Sequence, residues 1–364
     1  MTREYKFDLL TMLFSAGADP KHRAEIRAPE IRGALRWWFR VLGGFKGDSR
    51  AVSDQEVDIF GGIVGDKPVK SRLVVRVTEV NVTQSCGDAN RLGAGQNTPL
   101  GYLLFPLRSN DKKGVDASRC YFQPNDPKRG AAFTLSLVWR GDEESYRGIE
   151  ALMSIFGRLG SLGFRSRRCM GALAFHGTAP MPVQEALAYF SHAEDAILVK
   201  RLAKVWGEGS GYGMFSPTSA DDCVKGLAKW LKAWRSYGPS SQRNPFLDGF
   251  RFASIDHDIG LGQGRGREAV RPAIGLPIVQ QYSMSKKRNE WVPHTSDNER
   301  FASPVLLRPY RGEDGRWDAL VVFVEARRWN PGDKVDVGDH SENVSLGLYE
   351  AMLGDEQLDS WAKF

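Results

Sequence analysis

The sequence predicts an α+β protein of two domains, the first of them ferredoxin-like, and three observations carry that prediction. Strand and helix signatures in residues 1–180 come in the order strand, helix, strand, strand, helix, strand, which is the ferredoxin-like βαββαβ order. At 364 residues, 41% of them apolar, the chain exceeds what one core usually organises, since single cores stop growing at about 250–300 residues. Pro180 and Pro182 then interrupt the pattern and divide the chain into 1–180 and 181–364, with an insertion in the first part at about 83–128.

Taken in order, Tyr5 to Phe14 alternates like a strand and leads into a charged loop, Ala18 to Arg27. Pro29 suits a first helical turn, where its missing N–H would be unpaired anyway. The helix runs through IRGALRWWFRVL and stops at Gly43-Gly44. Ile31, Leu35, Trp38 and Leu42 recur at i, i+4, i+7 and i+11, giving one apolar face to lay on a sheet. Arg32, Arg36 and Arg40 form another stripe, and with no acid interleaved they read either as a positive rail or as partners of acids from elsewhere in the fold. Ser71 to Val82 and Ala131 to Arg140 are strand-like, rich in β-branched and aromatic residues. The Gly/Asn/Asp/Pro-rich stretch between them is long enough to be functional or mobile.

Ser145 to Leu159 is a second amphipathic helix with Ile149, Leu152, Met153 and Phe156 inward, and Gly171 to Phe175 closes the unit. The second part opens with a long helical pattern from Val183 to Trp206, then a helix from Cys223 to Trp234. Strands are expected over about 250–255, 274–280, 302–310 and 319–326. The loop Gly260-Leu-Gly-Gln-Gly-Arg-Gly-Arg267 lacks the G-x-G-x-x-G spacing of a dinucleotide fingerprint. Its Arg265 and Arg267 are candidate polyanion contacts.

Charge is uneven. The net +6 resolves into 27 Lys+Arg against 19 Asp+Glu in residues 1–180, and 23 against 25 in residues 181–364. A basic half beside a nearly neutral one suggests that one meets a polyanion and the other protein. The segment Gly157-Arg-Leu-Gly-Ser-Leu-Gly-Phe-Arg-Ser-Arg-Arg-Cys-Met-Gly171 interleaves four glycines with four arginines between the second helix and the last strand. Glycine lets backbone N–H groups approach an anion, and arginine supplies permanently charged forks that match phosphate oxygens. RNA-recognition modules share the βαββαβ order, so the expected ligand is an RNA backbone. The candidate contacts are Lys21, His22, Arg23, Arg27, Arg32, Arg36, Arg40, Gly160, Gly163, Arg165, Arg167 and Arg168.

Other chemistries find little support. Cys86, Cys120, Cys169 and Cys223 are far apart with no C-x-x-C pair, so reduced, buried thiols are expected, without a zinc cluster. The six histidines include no H-E-x-x-H spacing, and Asp256-His257-Asp258 on a strand would point to opposite faces. Neither a G-x-S-x-G elbow nor a Walker loop occurs, so no cofactor, metal or catalytic set is expected. No apolar run approaches a membrane span and the N-terminus has no cleavage signature, which together favour the cytoplasm and no membrane partner.

Two motifs together resemble a known family. The helix Ile31-Arg-Gly-Ala-Leu-Arg-Trp-Trp-Phe-Arg40 after a first strand, paired with the Gly/Arg loop before the last, is similar to the RAMP superfamily of CRISPR-associated proteins. The doubled tryptophan between arginines, Gly275-Leu-Pro-Ile278 and Arg300-Phe-Ala-Ser-Pro304 resemble the first-numbered subunits of type III-B (Cmr) effector complexes. The likeness covers most of the chain, with 83–128 and the region after Trp329 contributing little. Cys169 departs from it, where a glycine commonly follows the basic pair. The resemblance implies two tandem ferredoxin-like (RRM-like, RAMP) domains, a non-catalytic antiviral role, and guide (CRISPR) RNA, target RNA and other complex subunits as partners. Two alternatives stand beside it. One is a metal-independent RAMP endoribonuclease using His22 as acid or base, and the other is a protein–protein scaffold without direct RNA contact.

Overall fold

The computed structural model describes residues 1–361 apart from 96, 97, 111, 113, 208–210, 236–248, 265, 283–287 and 295–299. Its first sheet takes strands β1 (Thr2–Leu9), β2 (Leu73–Val80), β3 (Phe133–Trp139) and β4 (Leu173–Phe175). They lie in the order β2-β3-β1-β4, every neighbouring pair antiparallel. Helices α1 (Ala28–Val41), α2 (Val52–Phe60) and α3 (Glu143–Leu159) complete the unit. All the apolar positions expected on α1 and α3 are buried: Ile31, Leu35, Trp38 and Leu42, and Ile149, Leu152, Met153 and Phe156. They meet Phe7, Phe133, Leu135 and Leu137 of the sheet in one core. The 3.6-residue and 2-residue periods thus face each other, and each fully buried large apolar side chain contributes about 1.5–3 kcal/mol.

A second sheet repeats the plan. Its strands are β5 (Ile197–Leu202), β6 (Val305–Arg311), β7 (Trp317–Val324) and β8 (Leu358–Ser360), in the order β6-β7-β5-β8. Helix α4 (Ala220–Arg235) lies between β5 and β6 in sequence, and α5 (Gly347–Leu353) between β7 and β8. The pattern is again βαββαβ, with antiparallel neighbours. Central strand β7 is buried on both faces. Leu320, Val322 and Val324 join the core that holds α1 and α3, whereas Ala319, Val321 and Phe323 join a second core with α4 and α5. The two ferredoxin-like units therefore interlock.

Several expected elements take another form. The pattern from Val183 to Trp206 breaks into short helices Val183–Leu187 and Ala193–Ala196 before β5, because Ile197-Leu-Val-Lys-Arg-Leu202 alternates and pairs with β7 and β8. The expected strand at 250–255 is part of helix Gly249–Leu261; a short apolar run does not by itself separate the two periods. The stretch at 274–280 is a 3₁₀ turn, Arg271–Ile274, followed by strand Ile278–Gln281.

The 83–128 insertion is tied down along much of its length. Strands Gln84–Gly87 and Arg119–Phe122 form a hairpin, and helix Pro99–Leu103, capped by the Thr98 hydroxyl, packs on α4. Cys86 and Cys120 stand opposite each other on that hairpin and are joined as a disulfide. This corrects the expectation of four reduced thiols: the insertion brings together residues 34 apart in sequence. Cys169 and Cys223 are free and buried. Among the described residues no helix is long and apolar enough to cross a membrane, and no group of three or more His, Cys, Asp or Glu is placed to hold a metal ion.

Candidate nucleic-acid interface

The Gly/Arg loop starts where α3 ends. Gly160 lies against the Phe156 carbonyl, where a Cβ would overlap that oxygen. Gly163 has φ +79, and a side chain there would meet the Phe14 carbonyl at 2.6 Å, so glycine is required twice over. The loop then runs beside the segment after β1, with Phe164 N–H donating to Phe14 O at 2.8 Å and Gly171 N–H to Met12 O at 2.8 Å. Arg165 (φ 66) and Cys169 (φ 70) are left-handed without being glycine, at about 1–2 kcal/mol each. Cys169 thus keeps the backbone conformation that a glycine would occupy more cheaply, so the departure at this position is one of side chain.

The far side of the loop is held by the second unit. Cys169 N–H donates to Leu307 O at 2.8 Å and Leu307 N–H to Arg167 O at 3.2 Å, so the loop adds a short parallel bridge to the edge of β6. Arg308, 1% exposed, donates to the carbonyls of Gly160 (2.7 Å) and Leu173 (2.5 Å). Arg168 is buried too and donates to Val305 O at 2.8 Å. These two arginines are struts. Arg168 was expected to contact RNA, but the packing of the two sheets turns it inward.

What remains is a cleft of about 400 Å³ between the units, lined by Arg165, Arg167, Arg168, Arg235 and Arg300, by Phe164 and Phe301, and by the 274–277 turn. No carboxylate lines it among the described residues. Burial, and then the nearby Arg235, push Arg165 down to about 10, which leaves it charged at neutral pH. Its Nε donates to Leu103 O at 2.6 Å, from the insertion. Burial and Arg327 likewise lower Arg167, whose guanidinium lies 5.3 Å from the Trp37 ring centroid on α1. Beside it a smaller recess of about 160 Å³ is shared by Trp37, Gly160, Ser166 and Arg167. Among the described residues the cations crowd here with no carboxylate in the lining, an arrangement that favours an anion.

Residues 6–174 match the family model described as the RAMP superfamily. The chain is 32% identical over 181 residues to the CRISPR system Cmr subunit Cmr1-2 of Pyrococcus furiosus, covering 46% of this chain and 92% of that protein. The chain belongs to the RAMP superfamily. It is also 29% identical over 175 residues to Cmr subunit Cmr1-1 of the same organism, a match spanning 47% of this chain and just under half, 46%, of that relative. The crystal structure of apo Cmr1 from Pyrococcus furiosus superposes with a TM-score of 0.53 at 15% identity over 100% of both chains, and the tandem ferredoxin-like fold is shared.

Not all the candidate contacts reach the cleft of this RAMP protein. Arg36 and Arg40 turn to α2, where Glu56 accepts a hydrogen bond from Arg36 Nε at 2.7 Å and forms an ion pair with Arg40 at 3.3 Å. An acid from a neighbouring helix thus offsets part of the rail, while Arg32 is exposed. Lys21 pairs with Asp116 (2.8 Å), His22 Nδ1 with Asp19 (2.8 Å) and Arg23 with Glu25 (3.2 Å), so that basic run is also largely offset. Arg27 is exposed near Glu30, whose carboxylate accepts from the Ser15 hydroxyl. Arg267 lies 3.5 Å from Asp258, and Arg265 falls outside the described residues. Conversely, Arg235 and Arg300 escaped the reading from sequence. Arg300 belongs to a segment noted only for its family likeness, and Arg235 sits at the end of a helix 67 residues from the loop's Arg168.

Two catalytic look-alikes resolve into structure. Asp256 is buried and accepts from Arg271 Nε (2.8 Å) and from the Val270 and Arg271 backbone, so helix Gly249–Leu261 separates it from His257 and Asp258. Ser341, His294 and Asp336 meet, but the serine (3.2 Å) and the aspartate (2.7 Å) share Nδ1. That geometry differs from a triad, in which the serine uses the other ring nitrogen.

Proposed function

We propose that this chain is a non-catalytic, RNA-binding subunit of a cytoplasmic type III-B CRISPR effector complex, holding guide RNA, target RNA or both against its inter-unit cleft beside other subunits. The observation that carries the proposal is the concentration of Arg165, Arg167, Arg235 and Arg300 around a cleft that no carboxylate lines among the described residues, the first two on a glycine-dependent loop pinned by both sheets. The names of the two relatives, both Cmr subunits, support the same assignment. Rigid guanidiniums around a phosphate chain give affinity without base sequence, which leaves sequence reading to guide–target pairing.

The test is the salt dependence of binding to labelled guide RNA. The double variant Arg167→Ala/Arg300→Ala should lose at least about tenfold in affinity at physiological salt, and its log Kd against log salt should flatten by about 0.7 per phosphate contact removed. Superimposable wild-type and variant salt plots would overturn the proposal. The nuclease alternative rests on the Asp19 carboxylate at His22 Nδ1. Labelled RNA recovered at full length from both wild type and His22→Ala would remove it.

A further inference from the structure

The cleft contains more than charge. Phe301 lines it and is stacked on Trp329 with ring centroids 4.2 Å apart and planes inclined by 29°. Trp329 is itself buried and anchored, its indole N–H donating to Pro272 O at 2.9 Å. The Phe301 carbonyl accepts from Leu276 N–H at 2.8 Å, which fixes the residue to the 274–277 wall. Phe301 is therefore a partly exposed aromatic ring with a rigid backing, beside Arg300 and across from the Gly/Arg loop. A duplex keeps its bases stacked inside, so it has no use for an aromatic platform; an unpaired nucleotide does. The cleft volume of about 400 Å³ falls within the range of small-ligand pockets.

We infer that the cleft is a single-strand site, in which one unpaired ribonucleotide of the bound RNA stacks its base on Phe301 while its flanking phosphates meet Arg167, Arg235 and Arg300. This rests on the RNA-binding reading above and narrows it to unpaired RNA. Stacking is tolerant of base identity because every base has a π-face, so the site takes any nucleotide.

The full-length protein, wild type and with Phe301→Leu, is titrated against a labelled oligouridine and against an RNA duplex of the same length. Leucine keeps apolar bulk against Trp329 while removing the ring, and an unchanged melting temperature certifies the fold; Phe301→Trp, which keeps a π-face, serves as the restoring control. The expected result is about a tenfold loss for the single strand with leucine, retention with tryptophan and no change for the duplex. Equal binding of the single strand by wild type and Phe301→Leu, or an equal loss for single strand and duplex, overturns the inference. Arg167→Ala/Arg300→Ala, run in parallel, separates the two failures. If that variant is weakened and the leucine variant is not, RNA binding stands and stacking falls; if neither is weakened, both fall.

Discussion

At the scale of single residues, arginine plays three different parts here. Arg167 and Arg300 face the cleft, Arg36 is neutralised by Glu56, and Arg308 and Arg168 are buried struts whose partners are main-chain carbonyls. A guanidinium suits the last task because its fork of donors can satisfy several carbonyls at once. Arg308→Ala should therefore destabilise the protein by about 3 kcal/mol in urea denaturation, since it opens a cavity and strands the Gly160 and Leu173 carbonyls. RNA affinity should fall as well, though Arg308 cannot touch RNA, because the loop loses its anchor. Wild-type stability would show that those carbonyls find other donors. The residue type was legible in sequence, but the part each arginine plays was not, because it depends on partners such as Glu56 and Val305 that are distant in the chain.

Among the elements, α1 and the 83–128 insertion depart most from expectation. Arg36→Ala/Arg40→Ala removes a partly exposed ion-pair cluster on Glu56, so it should cost about 1 kcal/mol of stability and change RNA affinity by less than about twofold. A tenfold loss of affinity would restore the arginine rail to the RNA surface. In the insertion, the hairpin sets Cys86 opposite Cys120 and joins them as a disulfide. Thiol titration of protein denatured without reductant should find Cys169 and Cys223 alone reactive, and four reactive thiols would show the hairpin to be reduced. The βαββαβ order and the buried faces of α1 and α3 were readable because their periodicity is long and regular. Gly249–Leu261 and β5 were misread because brief apolar runs take their form from the sheet or helix they pack on.

For the molecule as a whole, alternate residues of β7 feed two cores, and the loop of the first unit hydrogen-bonds to β6 of the second. Neither sheet can be exposed without opening a core shared with the other half. Calorimetry should accordingly show one cooperative unfolding transition, whereas two separated transitions would mean that the halves are independently stable. Polyanion binding should raise the transition temperature, because a ligand that binds the cleft of the folded protein and not the unfolded chain shifts the folding equilibrium.

By itself the sequence determined the kind of fold: periodicities of 2 and 3.6 laid out the first unit, and glycines alternating with arginines marked where a cationic loop would fall. Tertiary structure alone decided which charges remain available. A guanidinium's availability depends on what lies within a few ångströms of it, and those neighbours come from other elements. Glu56 pairs with Arg36 and Arg40 on α1, whereas no carboxylate among the described residues lines the wall formed by Arg235, Arg300 and the 274–277 turn beside Arg167.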